Sequence, residues 1–182
     1  MKLSRKTIYP YFMFSITFLL GFSLSAQTFA LEPTLCYDAK FSEVRSLSEF
    51  PSKMPPGLVA LTEGISDRNG SFNSFDVGAG PRKRFSFAAI SQDCILIAIE
   101  YGGRAYGISL WYFIADGSKW QQSQKLRYWD DEPPQTLKEF LVGAQNSFGA
   151  MYQHGWGLPK NDVESIKWYR KAAGQENDLP SK

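Results

Sequence analysis

The chain is poor in the residues from which most catalytic and metal sites are built. It has one histidine, His154, and two cysteines, Cys36 and Cys94, in 182 residues. One histidine excludes multi-histidine metal centres, and two cysteines so far apart provide neither zinc-ligand spacing nor a paired redox motif. A Ser–His–Asp arrangement around His154 would need a serine at a strand–turn–helix elbow, and no serine stands in one. Gly78-Ala79-Gly80-Pro81-Arg82-Lys83-Arg84 sets glycines beside cations. A phosphate cradle opens a helix, however, and this stretch leads into a strand-like run. Paired carboxylates for glycoside chemistry are recognised by geometry, which a sequence does not carry. The reading is of a chain with no catalytic constellation, no metal and no cofactor.

The first thirty residues contain no acidic side chain, and their only charges are Lys2, Arg5 and Lys6. An uncharged apolar stretch runs from about Tyr11 to Leu24, and Ser25-Ala26-Gln27-Thr28-Phe29-Ala30 closes it with small residues. Positive, apolar and small in that order is the pattern of a cleavable export signal, with Ala30 the preferred cleavage position and Ala26 the fallback. The apolar stretch is shorter than the roughly 20 residues of a spanning helix and is interrupted by Ser15, Thr17 and Gly21. Pro33-Thr34-Leu35 lacks the small side chains that precede a lipid-modified cysteine, so Cys36 is not read as an anchor.

Removing that signal alters the electrostatics. The whole chain carries 20 basic and 18 acidic residues; without the three N-terminal cations the count is 17 against 18, a formal charge of −1. Net charge therefore gives the mature protein no hold on nucleic acid or on an acidic membrane. In an exported chain the two cysteines are expected to pair. A Cys36–Cys94 bridge would close a long loop and stabilise by about 4 kcal/mol in the chain-entropy treatment.

Along the mature chain, Phe41, Val44, Leu47 and Phe50 recur at helical spacing and predict a short helix, ended by Pro51 and Pro55-Pro56-Gly57. Leu58-Val59-Ala60-Leu61 reads as a short strand, and Asn69-Gly70 as a tight turn. Four runs then follow, Arg84–Ser91, Cys94–Tyr101, Tyr106–Ala115 and Trp120–Trp129. They are rich in β-branched and aromatic residues and are separated by Gln92-Asp93, Gly102-Gly103-Arg104 and Asp116-Gly117-Ser118. Short turn-forming gaps of this kind join an antiparallel meander. The Cys94–Tyr101 run is apolar nearly throughout, as a central strand covered on both faces would be, and the polar alternation of Trp120–Trp129 marks an edge. Asp130-Asp131-Glu132-Pro133-Pro134 reads as a solvated linker rather than a cation site.

From Thr136 the period becomes helical, with Leu137, Phe140, Leu141, Ala144, Phe148 and Met151 on one stripe. A second helix follows a glycine-rich turn, with Asn161 at its N-cap and Val163, Ile166, Lys167 and Arg170 along it. The run Ala144-x-x-x-Phe148-Gly149-x-x-Tyr152-x-x-Gly155-x-Gly157-Leu158-Pro159, followed by Lys167-Trp168-Tyr169-Arg170-Lys171-Ala172-Ala173, resembles one Sel-one-like repeat. This is a short relative of the tetratricopeptide helical hairpin, and the match covers about residues 140–177. Ser165, Asn161 and Glu176 depart from the family's pattern. The resemblance implies that Gly149 admits close helix approach, that Gly155 and Gly157 reverse the chain, and that Ala172 and Ala173 lie in a tight helix contact. A lone hairpin cannot bury its apolar face, so it must dock on the β domain, on another chain, or on both.

The expected protein is α+β. It has a signal over 1–30, a β-rich domain over 31–132 with a short N-terminal helix, a helical repeat over 136–177 and a flexible tail over 178–182. Its expected role is periplasmic and non-enzymatic: binding an envelope component or a secreted effector, in one version as an immunity protein, and meeting the membrane only during export. Trp129, Tyr152, Trp156, Arg82 and Arg84 are the candidate partner-binding side chains. His154 reads as a surface helix residue. The competing expectations are a cell-wall hydrolase with convergent carboxylates and a carrier with an apolar pocket.

Overall fold

The computed structural model describes residues 31–128 and 130–176; the expected export signal, Trp129 and the expected C-terminal tail lie outside the described residues. Six strands form one antiparallel sheet in the order β1-β2-β3-β4-β5, with β6 also on β4. They are β1 Ser42–Val44, β2 Lys83–Ile90, β3 Cys94–Tyr101, β4 Gly107–Asp116, β5 Lys119–Gln122 and β6 Leu126–Arg127. Three α-helices accompany them: α1 Pro56–Thr62, α2 Leu137–His154 and α3 Asp162–Glu176. The fold is α+β, an antiparallel meander with a C-terminal helix pair. None of the described helices is long and apolar enough to cross a membrane.

The meander follows the predicted runs closely, and the N-terminal part does not. A short helix does precede the meander, but it is α1, where Leu58-Val59-Ala60-Leu61 led to a strand expectation. Pro55-Pro56 pre-sets the first turn of a helix. Four apolar residues in a row do not distinguish a strand from one turn of buried helix. Conversely, Phe41–Phe50 forms β1 and a single 3-10 turn at Leu47–Glu49 rather than a helix. Sheet pairing of Ser42–Val44 with Ala88–Ile90 overrides the helical spacing there. Asn69-Gly70 does lie in a turn, one residue later than a hairpin loop would need: Gly70 N–H donates to Asp67 O at 2.8 Å.

β3 is the central strand and is buried along seven of its eight residues. Cys94, Leu96 and Ala98 face the helix pair, whereas Ile95, Ile97 and Ile99 face the N-terminal segment. Apolar layers cover both faces, which explains why the strand shows no alternation. On β2 the register shifts at Ser86, so Phe85 packs toward the N-terminal segment and Phe87 toward the helices. A second bulge splits the Trp120–Trp129 run. Ser123 returns to β4 through its N–H to Tyr112 O at 2.8 Å and its Oγ, which accepts Tyr112 N–H at 2.9 Å. One extra residue then intervenes before Leu126 pairs with Leu110. Bulges of this kind blunt a sheet edge.

The helix pair docks on the sheet. Phe140, Ala144, Phe148, Met151 and Tyr152 of α2 and Trp168 of α3 share one apolar cluster with Phe87, Leu96, Tyr112 and Tyr128. α2 starts in a reciprocal capping box, Thr136 with Glu139, and Asn161 Oδ1 accepts the N–H groups of Val163 and Glu164 at 3.1 Å to start α3. Gly155 closes α2 with a positive φ of 70°, and Gly157 at 76° completes the reversal. The N-terminal segment is fastened to the same cluster. Cys36 and Cys94 form a disulfide with Cα atoms 5.3 Å apart, Tyr37 lies edge-on to Trp168 at 4.9 Å, and the Tyr112 hydroxyl donates to Leu31 O.

Candidate functional site

The most developed surface feature is a loop over residues 72–81, at the end of the sheet where β3 turns into β4. Asn73 organises it. Its N–H donates to Pro81 O at 2.8 Å, its Nδ2 donates to Val77 O at 3.2 Å, and its Oδ1 accepts Phe75 N–H at 2.9 Å. The β3–β4 turn holds the loop from beneath. Gly103 N–H donates to Ser74 O at 3.2 Å and Arg104 pairs with Asp76 at 3.2 Å. At Gly102 a side chain would run into the Asn73 carbonyl, so the two backbones meet there without space between them. Compact loops closed by their own bonds are characteristic functional surfaces. This one holds Phe75 at 73% and Val77 at 80% exposure.

Beside the loop lies an open cleft of about 570 Å³, lined by Phe72, Phe75, Arg84, Glu100, Tyr106 and Pro133 among others. Glu100 is buried on β3 and is the acceptor for two neighbours. Arg84 grips it in a fork, Nε at 3.0 Å and Nη2 at 2.7 Å, and the Tyr106 hydroxyl donates at 2.9 Å. The bond to Glu100 raises the Arg84 pKa. Burial, then the bond to Glu100, pushes the Tyr106 phenol up. Phe72 completes the group, with the Arg84 guanidinium 4.5 Å from its ring centre. A buried carboxylate satisfied in this way is a structural counter-ion. A second cleft of about 530 Å³ adjoins at Tyr106 and includes Tyr101, Lys125, Arg127 and Asp131. Lys125 Nζ sits 3.9 Å from the Tyr101 ring centre.

The other candidates are dispersed. Arg82 is exposed and donates to Asp76 O at 2.5 Å at the base of the loop. Arg84 is committed to Glu100 and is not a free binding cation. Tyr152 is buried in the helix–sheet cluster and cannot anchor a partner, because its place on the inner face of α2 seals it from solvent. Trp129 lies outside the described residues. Trp156 is 51% exposed and stacks on His154 at 4.7 Å, so His154 is indeed on the surface. Among the residues of the resembled repeat, Ala144, Gly149, Trp168 and Ala172 are buried, and Tyr169 is half-buried with its ring over Gly149. Ala173 is exposed, against the expectation of a tight contact, since the inner face of α3 is set by Ser165, Trp168 and Ala172.

The carboxylates in and beside the acidic linker bond within the protein. Asp131 pairs with Arg127, Asp130 accepts Glu132 N–H, and Glu139 accepts from Gln135 and Thr136. No group of three or more potential metal ligands occurs among the described residues. Phe75 and Val77 were not singled out from the sequence, although their signal was there: large apolar residues in a Gly/Ser/Asn-rich stretch too polar to form core. Tyr106, expected to open a strand, instead lies just before β4.

No family model, curated protein or solved structure matches the chain. The resemblance to a Sel-one-like repeat rests on the residues that carry it.

Proposed function

We propose that the protein is an exported, non-enzymatic binding protein of the cell envelope, with a Sel-one-like hairpin at its C-terminus, whose partner is another protein. The observation that carries this reading is the set of large apolar side chains left in solvent on ordered surface. Phe75, Val77 and Tyr106 stand at one end of the sheet, Trp156, Val163 and Ile166 on the helix pair and its turn, and Leu35 and Val59 elsewhere. Side chains of this kind supply the anchors of protein interfaces. The sheet edges offer little to an added strand, since β1 has three residues and β5 runs into a bulge, so recognition falls to side chains. The most specific version is an immunity protein that blocks a toxic secreted effector. The N-terminal signal supports export, and the disulfide is compatible with an oxidising compartment.

The test is fractionation followed by capture. The expected result is a periplasmic chain that begins at Leu31, has no free thiol and retains one stoichiometric envelope or secreted protein. A cytoplasmic chain with its signal attached, or no retained protein at high concentration, defeats the reading. A small-ligand carrier is the second reading, favoured by the two clefts that meet at Tyr106. It predicts a co-purifying small molecule in native mass spectrometry and none bound to Tyr106→Ala.

A further inference from the structure

We infer that the 72–81 loop is the docking element and that it enters an apolar pocket whose rim carries carboxylates, on a partner protein. This rests on the protein-binding reading and selects the loop over the apolar side chains exposed on the helix pair. Three observations favour the loop. It is fixed before binding, because Asn73 ties its two ends and its middle together and Gly103 and Arg104 hold it to the β3–β4 turn. Little ordering entropy then opposes association. Its two most exposed apolar side chains, Phe75 and Val77, have no burial of their own to give up. Trp156, by contrast, is already stacked on His154.

The third observation is charge, and it names the partner's chemistry. The mature chain is nearly neutral, with 17 basic and 18 acidic residues once Lys2, Arg5 and Lys6 are removed. Around the loop, however, the one carboxylate of the segment, Asp76, pairs with Arg104, Arg82 binds only the Asp76 backbone carbonyl and Lys83 lies over the Tyr101 ring, while Arg84 and Glu100 cancel each other, as do Arg127 and Asp131 beside Tyr106. The helix-turn surface is balanced instead, with Lys160 paired to Asp162 and Lys167 to Glu164. A local positive excess around an apolar tip complements an apolar pocket with a negative rim, and such rim charges act mainly on association rate and its salt dependence.

The mature protein, made with its own signal and purified from the periplasm, is presented to envelope extract of the producing cells, and the retained protein is identified and titrated. Phe75→Asp should weaken binding by roughly 30-fold or more, the scale of a central anchor. Arg82→Glu with Arg104→Glu should weaken it by about 10-fold at low salt and flatten its salt dependence. Val163→Asp with Ile166→Asp should leave affinity unchanged, and thermal melts should show all three variants folded. Loss of binding in the α3 variant with Phe75→Asp unaffected overturns the loop assignment and leaves the protein-binding reading standing. Salt-independent binding overturns the acidic rim. A concentration-dependent dimer in sedimentation velocity that Phe75→Asp abolishes would make a second copy the occupant and overturn the proposal. Retention of no protein at all removes both inferences.

Discussion

Replacing both cysteines by alanine tests the attachment of the N-terminal segment most directly. The bridge spans a sequence separation of 58 and ties the 3-10 turn Pro33–Cys36 to the start of the central strand. In the chain-entropy treatment a loop of that length is worth about 4 kcal/mol at 25 °C. Both cysteines are buried, so the substitution also removes packed sulfur from the core and adds to the loss. For a domain of this size each kcal/mol moves Tm by about 2–4 °C, which makes the expected fall about 8–16 °C. The loss should be local in its first effects. Without the bridge, residues 31–40 keep the Tyr112–Leu31 bond, the Tyr37–Trp168 contact and the Lys171–Asp38 pair at 3.0 Å. The earliest proteolytic cuts under native conditions are therefore expected within or just after that segment. The assay is urea unfolding of wild type and Cys36→Ala/Cys94→Ala under identical non-reducing buffer, with thiol titration of the native wild type. A loss under about 1 kcal/mol, far below the loop-closure value, would refute the reasoning. So would two titratable thiols in the wild type.

Three further outcomes are expected. Glu100→Ala strands Arg84 and Tyr106 without their shared acceptor and should cost about 3 kcal/mol, much of it recovered by adding Arg84→Met, as a four-variant urea series would show. Burial raises the Asp67 carboxyl, but hydrogen bonds from Ser46 Oγ, Arg68 N–H and Leu47 N–H outweigh it and hold its pKa below the usual carboxylate value. The unfolded chain therefore takes up the proton first. Asp67 contributes stability above about pH 4 that is lost as pH falls through its folded pKa, and Asp67→Asn should flatten that part of the acid limb; parallel curves would contradict this. Gly143→Ala and Gly149→Ala separate two kinds of close approach. A Cβ at Gly143 meets the buried ring of Tyr128, which cannot yield, and should cost roughly 1–3 kcal/mol as overpacking does. One at Gly149 falls 2.6 Å from a half-exposed Tyr169 ring that can swing away, so gained helix propensity offsets the strain to within about 1 kcal/mol.

The meander was legible because its signals are local. Turn-formers bracket each run, and the unbroken apolar stretch of Cys94–Ile99 announced a strand covered twice. The α2 stripe of Leu137, Phe140, Leu141, Ala144, Phe148 and Met151 is the face that meets the sheet. The segment before β2 was not legible. Its short elements are chosen by contacts distant in sequence, as when Ser46 and Leu47 bind Asp67 or Arg68 donates to Pro134 O at 2.6 Å. Tyr152 carried two readings, a structural position of the repeat and a partner anchor, and its burial four residues after Phe148 on the inner face of α2 leaves only the packing one. The cleft was hidden because Arg84, Glu100 and Tyr106 come together only through strand register.

The extra residue at Ser86 has a consequence for how this sheet tolerates insertion and deletion. Phe85 and Phe87 stand two apart, a spacing that in an unbroken strand would turn both toward the same layer. The register shift sends one to each. Ser86 Oγ is left buried with no hydrogen-bond partner among the described residues, a small penalty beside the two rings it allows to be placed. Removing that one residue would make Phe85 and Phe87 neighbours, which alternate to the two layers without a bulge, so everything N-terminal to it would keep its layer. Arg84 would still lie opposite Glu100, and the strand leading out of the 72–81 loop would keep its orientation. With Ser86 in place the bulge must absorb one residue, since a regular strand of this sequence would hand the segment N-terminal to it, and the 72–81 loop, to the wrong layer.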